Sequence, residues 1–115
     1  MSEFEELFTI QKELQIFLKS GVYDPNLQIE EKEKITKDTI THLFGEVFEV
    51  LNTINWKMHK KTRKEINKKD ILEETIDVFK FLMNIWIIWG FEPEDIYKAF
   101  REKTDINYER ARAKY

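Results

Sequence analysis

Four carboxylates in two pairs are the residues of this 115-residue sequence best suited to chemistry: Glu46 with Glu49, and Glu74 with Asp77. Within each pair the two residues are three apart, a spacing that places side chains on adjacent turns of one helix face. Carboxylates gathered from two helices repel one another unless a cation neutralises them, and oxygen-only ligation suits Mg²⁺ or Mn²⁺. Mg²⁺ bound in this way usually keeps waters and shares substrate phosphates, so a triphosphate is a natural ligand. Spacing alone leaves open that the pairs are solvated acidic helix faces. A di-iron carboxylate bundle would need Glu-x-x-His pairs. No glutamate here is followed by histidine at that distance, and His42 and His59 stand elsewhere.

The segments that carry the pairs read as helices. At about 100° per residue, one face of the second helix collects Ile40, Leu43, Phe44, Val47, Val50, Leu51 and Ile54. A narrower stripe beside it holds His42, Glu46, Glu49, Thr53 and Trp56. In the third helix Ile71, Val78, Phe79, Leu82, Ile85, Trp86 and Trp89 form the predicted core face, flanked by Glu74, Asp77, Phe81 and Asn84.

Boundaries follow from the few breakers, three glycines and two prolines. Helix 1 is predicted from about Glu3 to Lys19, with Ser2 and Glu5 spaced as a capping box, stopping at Ser20-Gly21 before a loop through Asp24-Pro25-Asn26. Helix 2 is predicted from about Glu30 to Trp56. A basic loop follows, Lys57 to Lys69, in which Lys57, Lys60, Lys61, Arg63, Lys64, Lys68 and Lys69 face one acid, Glu65. Helix 3 should run from about Asp70 to Trp89 with Gly90 as its stop. Helix 4 should open at Pro93, with Glu94 and Asp95 suiting its positive end. The expected fold is all-α, a single domain over residues 1–115 built as a four-helix bundle-like subunit.

Composition bounds the partners. With 42% hydrophobic and 14% aromatic residues the chain carries more apolar material than a thin bundle needs. Trp86-Ile87-Ile88-Trp89 is apolar around its whole helix. Both features predict self-association without fixing the number of copies. A net charge of −3 argues against general affinity for nucleic acid. Without cysteine there is no disulfide and no thiolate-bound metal. The acidic N-terminus lacks the marks of a signal peptide, and the apolar run Ile85 to Phe91 is too short to span a bilayer. No membrane partner and a cytoplasmic location are expected.

The run Glu46-Val-Phe-Glu49, then Asn55-Trp56-Lys57, then Glu74-Thr-Ile-Asp77 through Phe81 and Asn84 resembles the dimeric all-α dUTPases. These belong with the MazG-like pyrophosphohydrolases, whose shared signature is ExxE followed by ExxD. Gly90 to Tyr97 resembles the family's turn into its last helix. The ending Lys103-Thr-Asp-Ile-Asn107-Tyr-Glu-Arg110, closing at Tyr115, looks like its K…N…R ending. The chain departs from the family at Gly45, Lys80 and Thr104, where glutamate, histidine and asparagine are common, and it is shorter than many members.

The resemblance implies that Glu46, Glu49, Glu74 and Asp77 hold Mg²⁺, with Mn²⁺ an alternative. Glu49 would also orient or deprotonate the attacking water. The implied reaction splits dUTP into dUMP and pyrophosphate, with Lys57, Lys103 and Arg110 matching phosphate-binding positions and Asn107 beside them. In helix 1 the stripe Phe4, Leu7, Phe8, Leu14 and Leu18 is interrupted by Gln11 and Gln15. Burying an unpaired amide costs about 1–3 kcal/mol, so these need partners, and the resemblance puts Gln11 at the base. Trp56 is read as a wall of the base pocket and Phe81 as packing on the sugar near Asn84, with core packing the competing role of both rings. Two other functions stay open: a MazG-like pyrophosphohydrolase acting on dCTP or a broad range of nucleotides, and a non-catalytic helical dimerisation or regulatory module.

Overall fold

Four helices account for the folded chain in the computed structural model, which describes residues 1–114: α1 (Glu3–Leu18), α2 (Ile29–Leu51), α3 (Lys68–Ile88) and α4 (Pro93–Ala113). No strand occurs among the described residues, as the sequence predicts. Tyr115, the last residue of the family-like ending, lies outside them.

Each boundary has a local cause. Ser2 Oγ accepts from the Glu5 N–H at 3.1 Å and opens α1. That helix ends one residue earlier than predicted, at Leu18, because Lys19 enters the left-handed region (φ 53°) and its N–H turns back to the carbonyls of Gln15 and Ile16. The largest departure is at the end of α2, which stops at Leu51 and not near Trp56. The segment Asn52-Thr53-Ile54-Asn55 is rich in short polar side chains that compete with helical backbone bonds. Asn52 Oδ1 accepts from Trp56 Nε1 at 3.2 Å, and Thr53 Oγ1 donates to the Val50 carbonyl at 2.6 Å. α3 starts two residues early because Asn67 caps it, accepting from the Lys69 N–H at 3.0 Å. Gly90, at φ 76°, ends it with the Phe91 N–H returning to the Trp86 carbonyl at 3.0 Å. Asp95 then receives the Glu92 N–H at 2.8 Å at the head of α4.

α2 and α3 form the central pair, and they run antiparallel. Trp89 Nε1 donates to Thr36 Oγ1 at 2.9 Å, the ring of His42 lies against that of Phe81, and Glu46 meets Asp77. Residue numbers thus fall along one helix as they rise along the other. α1 crosses α3 through Phe8, which stacks on Trp86, and through Gln11. α4 packs on α1 near its start, where Lys12 pairs with Glu92 at 3.7 Å and Ile96 joins the core.

The core differs from the one that periodicity predicts. Its fully buried apolar members are Phe8, Val22, Met83, Ile87 and Ile88. Much of the broad apolar face of α2 is turned outward, with Phe44 71% exposed and Ile40, Val47 and Ile54 exposed, as is Phe48 beside them at 51%, while Leu43, Val50 and Leu51 are half-buried. Its polar stripe faces α3 instead. In α3 the predicted core face largely keeps its place, with Phe79 and Trp86 packed against the core, but Asn84 is buried from the predicted flank and Trp89 is exposed. No α4 residue is buried. The radius of gyration, 17.7 Å, exceeds the roughly 13 Å of a compact domain this long. One chain by itself therefore leaves much of its apolar surface uncovered.

Candidate active site

The carboxylates come together where the polar stripe of α2 meets the flank of α3. Glu46 of α2 and Glu74 and Asp77 of α3 each present an oxygen, and the three lie within 4.8 Å of one another. Glu46 and Glu74 are half-buried and Asp77 is exposed. Glu74 is held above the ordinary carboxylate range, first by desolvation and then by the negative charges of Asp77, Glu49, Glu46 and Glu73. Negative charge crowded in this way favours a cation beside it. The donor set, all oxygen, clustered and open to water on one side, fits a hard divalent cation. Glu49 stands apart from the trio: it lies farther along α2 and is exposed, yet close enough for its charge to act on Glu74.

On the N-terminal side of Glu46 along α2, and beyond Asp77 along α3, two rings meet. His42 and Phe81 stack with centroids 6.1 Å apart and planes 16° from parallel. Sequence reasoning assigned His42 no function, and only its place four residues before Glu46 hinted at this contact.

Farther along α3 comes Asn84, 8% exposed, whose Oδ1 accepts from Gln11 Nε2 at 2.8 Å. Gln11 is 2% exposed, and its Oε1 is buried without a hydrogen-bond partner. An orphaned buried acceptor carries a cost that an incoming N–H relieves. Asp77 and Asn84 are seven residues apart, roughly 10 Å along the helix, so carboxylates, stacked rings and amide pair follow one another along α3.

Trp56 and Lys57 stand at the other end. By the antiparallel register Asn84 lies level with the middle of α2, near the buried Thr39, whereas Trp56 follows that helix's C-terminus. Trp56 meets Phe48 edge-on at 6.0 Å, and the Lys57 ammonium lies 5.5 Å from the Trp56 ring centre. Trp56 is thus not brought to the same place as Gln11, and the two cannot wall one base within a single chain. Lys103, Asn107 and Arg110 share one face of α4 and are exposed on a helix that packs against neither α2 nor α3 along its length. A single chain does not bring them to the carboxylates.

No helix of the described residues is long and apolar enough to cross a membrane. No curated protein and no solved structure matches the chain. A family model described as dUTPase, however, matches residues 3–89. That span includes both carboxylate pairs, Gln11, Trp56, Lys57, Phe81 and Asn84, and it stops before Lys103, Asn107 and Arg110. The match covers α1 through α3 and most of the sequence, and on that ground the chain belongs to the dUTPase family, as a nucleoside triphosphate pyrophosphohydrolase.

Proposed function

We propose that this chain hydrolyses dUTP to dUMP and pyrophosphate, with Mg²⁺ held by Glu46, Glu74 and Asp77. The observation that carries the reading is the convergence of those three carboxylates on the same pair of helices that holds a buried, half-satisfied amide pair. Bound there, Mg²⁺ (or Mn²⁺) would neutralise phosphate charge and polarise the bond under attack. Glu49, exposed beside the trio, orients the attacking water and accepts its proton. Its exposure leaves room for that water, which the crowded trio does not.

The base lies at the other end of the site. Gln11 Oε1 accepts the N3–H of uracil, and the Asn84 amide donates to a neighbouring carbonyl oxygen. Phe81, stacked on His42, forms the floor under the sugar. The amide pair also supports a second reading. If both amides rotate together, donor and acceptor exchange places, and the pair then matches N3 and the amino group of cytosine. A dCTP activity of the MazG-like kind is the competing specificity.

A homodimer completes the picture. The outward face of α2 around Phe44 and Phe48 suits a second copy. In the dimer Lys103, Asn107 and Arg110 of one subunit serve the phosphates bound by the other. Arg110 is suited to bidentate contact.

Pyrophosphate release from dUTP, dCTP, dTTP and UTP tests the reading. It requires dUTP to be preferred; preference for dCTP, or indifference to the base, transfers the chain to the second reading.

A further inference from the structure

The segment from Asn52 to Lys64, between α2 and α3, is folded back on itself. Asn55 clamps it twice, with Nδ2 donating to the Lys64 carbonyl at 3.0 Å and Oδ1 accepting from the Lys64 N–H at 2.9 Å. Asn52 ties it again, its carbonyl accepting from Lys64 Nζ and its side chain from Trp56 Nε1. The folded segment surrounds a cavity of about 590 Å³ lined by Lys57, Lys60, Lys61, Arg63 and Lys64. Among the described residues none of these five makes an ion pair, and the nearby acid Glu65 neutralises none of them. Five exposed cations gathered around one cavity without a counter-charge make it a concave, strongly positive surface suited to an anion.

The place of the cavity says which anion. α2 carries Glu46 and Glu49 in its last two turns and passes directly into this segment, while α3 leaves it and brings Glu74 on its second turn. The base-reading amides lie on the opposite side of the carboxylates. A nucleotide whose base sits at Gln11 and Asn84, and whose reacting phosphate sits at Glu46, Glu74 and Asp77, therefore points its remaining phosphates toward the loop.

We infer that Lys60, Lys61 and Arg63, held by the Asn52 and Asn55 clamps, form a preformed cradle for the terminal polyphosphate, which leaves as pyrophosphate. This rests on the proposed direction of the nucleotide. Lys57 and Lys64 contribute less, since the first lies over Trp56 and the second is spent on Asn52. Such contacts are charge-assisted and of the kind that binds phosphate strongly.

The test is calorimetric titration of inorganic pyrophosphate, with Mg²⁺, into the full chain, which needs no turnover. Replacing Lys60, Lys61 and Arg63 together by alanine should weaken pyrophosphate at least tenfold and leave dUMP affinity unchanged. All three are exposed, so the fold should be retained, as circular dichroism would verify. Asn55→Ala keeps every charge but frees the loop, and should also weaken pyrophosphate. Unaltered pyrophosphate affinity in the triple variant overturns the cradle, and unaltered affinity in Asn55→Ala overturns its preformation. Tighter binding of a single-stranded oligonucleotide than of pyrophosphate would assign the loop to nucleic acid and overturn it as well. Failure of the chain to hydrolyse dUTP, with pyrophosphate still bound through the loop, would remove the substrate reading and leave the cradle standing.

Discussion

Gln11 Nε2 donates to Asn84 Oδ1 over 2.8 Å, joining α1 to α3 inside the protein while Gln11 Oε1 is left buried and unpaired. A bond made only for stability would leave no such orphan. Gln11→Met keeps the length of the side chain and removes both its donor and its orphaned acceptor. Stability should fall by only about 1 kcal/mol, because one hydrogen bond is lost while one buried orphan, Gln11 Oε1, is exchanged for another, Asn84 Oδ1. KM for dUTP should rise tenfold or more, corresponding to about 1.4 kcal/mol. Melting and steady-state kinetics on the same preparation separate the two effects; an unchanged KM removes Gln11 from the base site.

The exposed position of Arg110 on α4 predicts subunit complementation. Glu49→Gln and Arg110→Ala should each be nearly inactive alone. In a dimer whose sites draw on both chains, mixing the two after unfolding and refolding restores about a quarter of wild-type turnover, because half of the dimers are mixed and each has one intact site. No recovery, with mixed dimers demonstrated by a tag, would show that α4 does not cross to the other subunit.

Glu74 predicts a pH signature. Its folded-state pKa is raised above the unfolded value, by desolvation first and then by the neighbouring carboxylates. Its contribution to stability is therefore greatest below the unfolded pKa and is lost as pH rises through the raised value. In EDTA, Glu74→Gln should melt higher than wild type at pH 7, with the gap closing as the pH falls through the carboxylate range. Mg²⁺ should reverse the order at pH 7 by binding only the wild type well, with protons released as it binds. A gap that widens on acidification would contradict the clustering of charge on Glu74.

Much of this was legible in the sequence, and what was not has physical causes. Pro93, Gly90 and the pair spacings placed α3, α4 and three of the clustered carboxylates, since caps and i, i+3 geometry are local. The end of α2 was not, because Asn52 and Asn55 bond to a loop that the helical pattern does not register. Periodicity marked Phe44, Val47 and Ile54 as one apolar face but did not say what covers it, and among the described residues of one chain they stay exposed. The same blindness to register placed Trp56 with Gln11, though antiparallel packing sets them at opposite ends of the site. Glu49's separation from the trio depends on how α2 is rotated against α3, which spacing within one helix does not determine.

The most direct test is the rate of dUTP hydrolysis by wild type and Glu74→Gln as Mg²⁺ is titrated from EDTA upward. The carboxylate site predicts no turnover without the metal, saturable activation of the wild type, and a Glu74→Gln protein that folds but needs far more Mg²⁺ for any rate. Equal turnover in EDTA, or an activation curve that Glu74→Gln leaves unmoved, would contradict it.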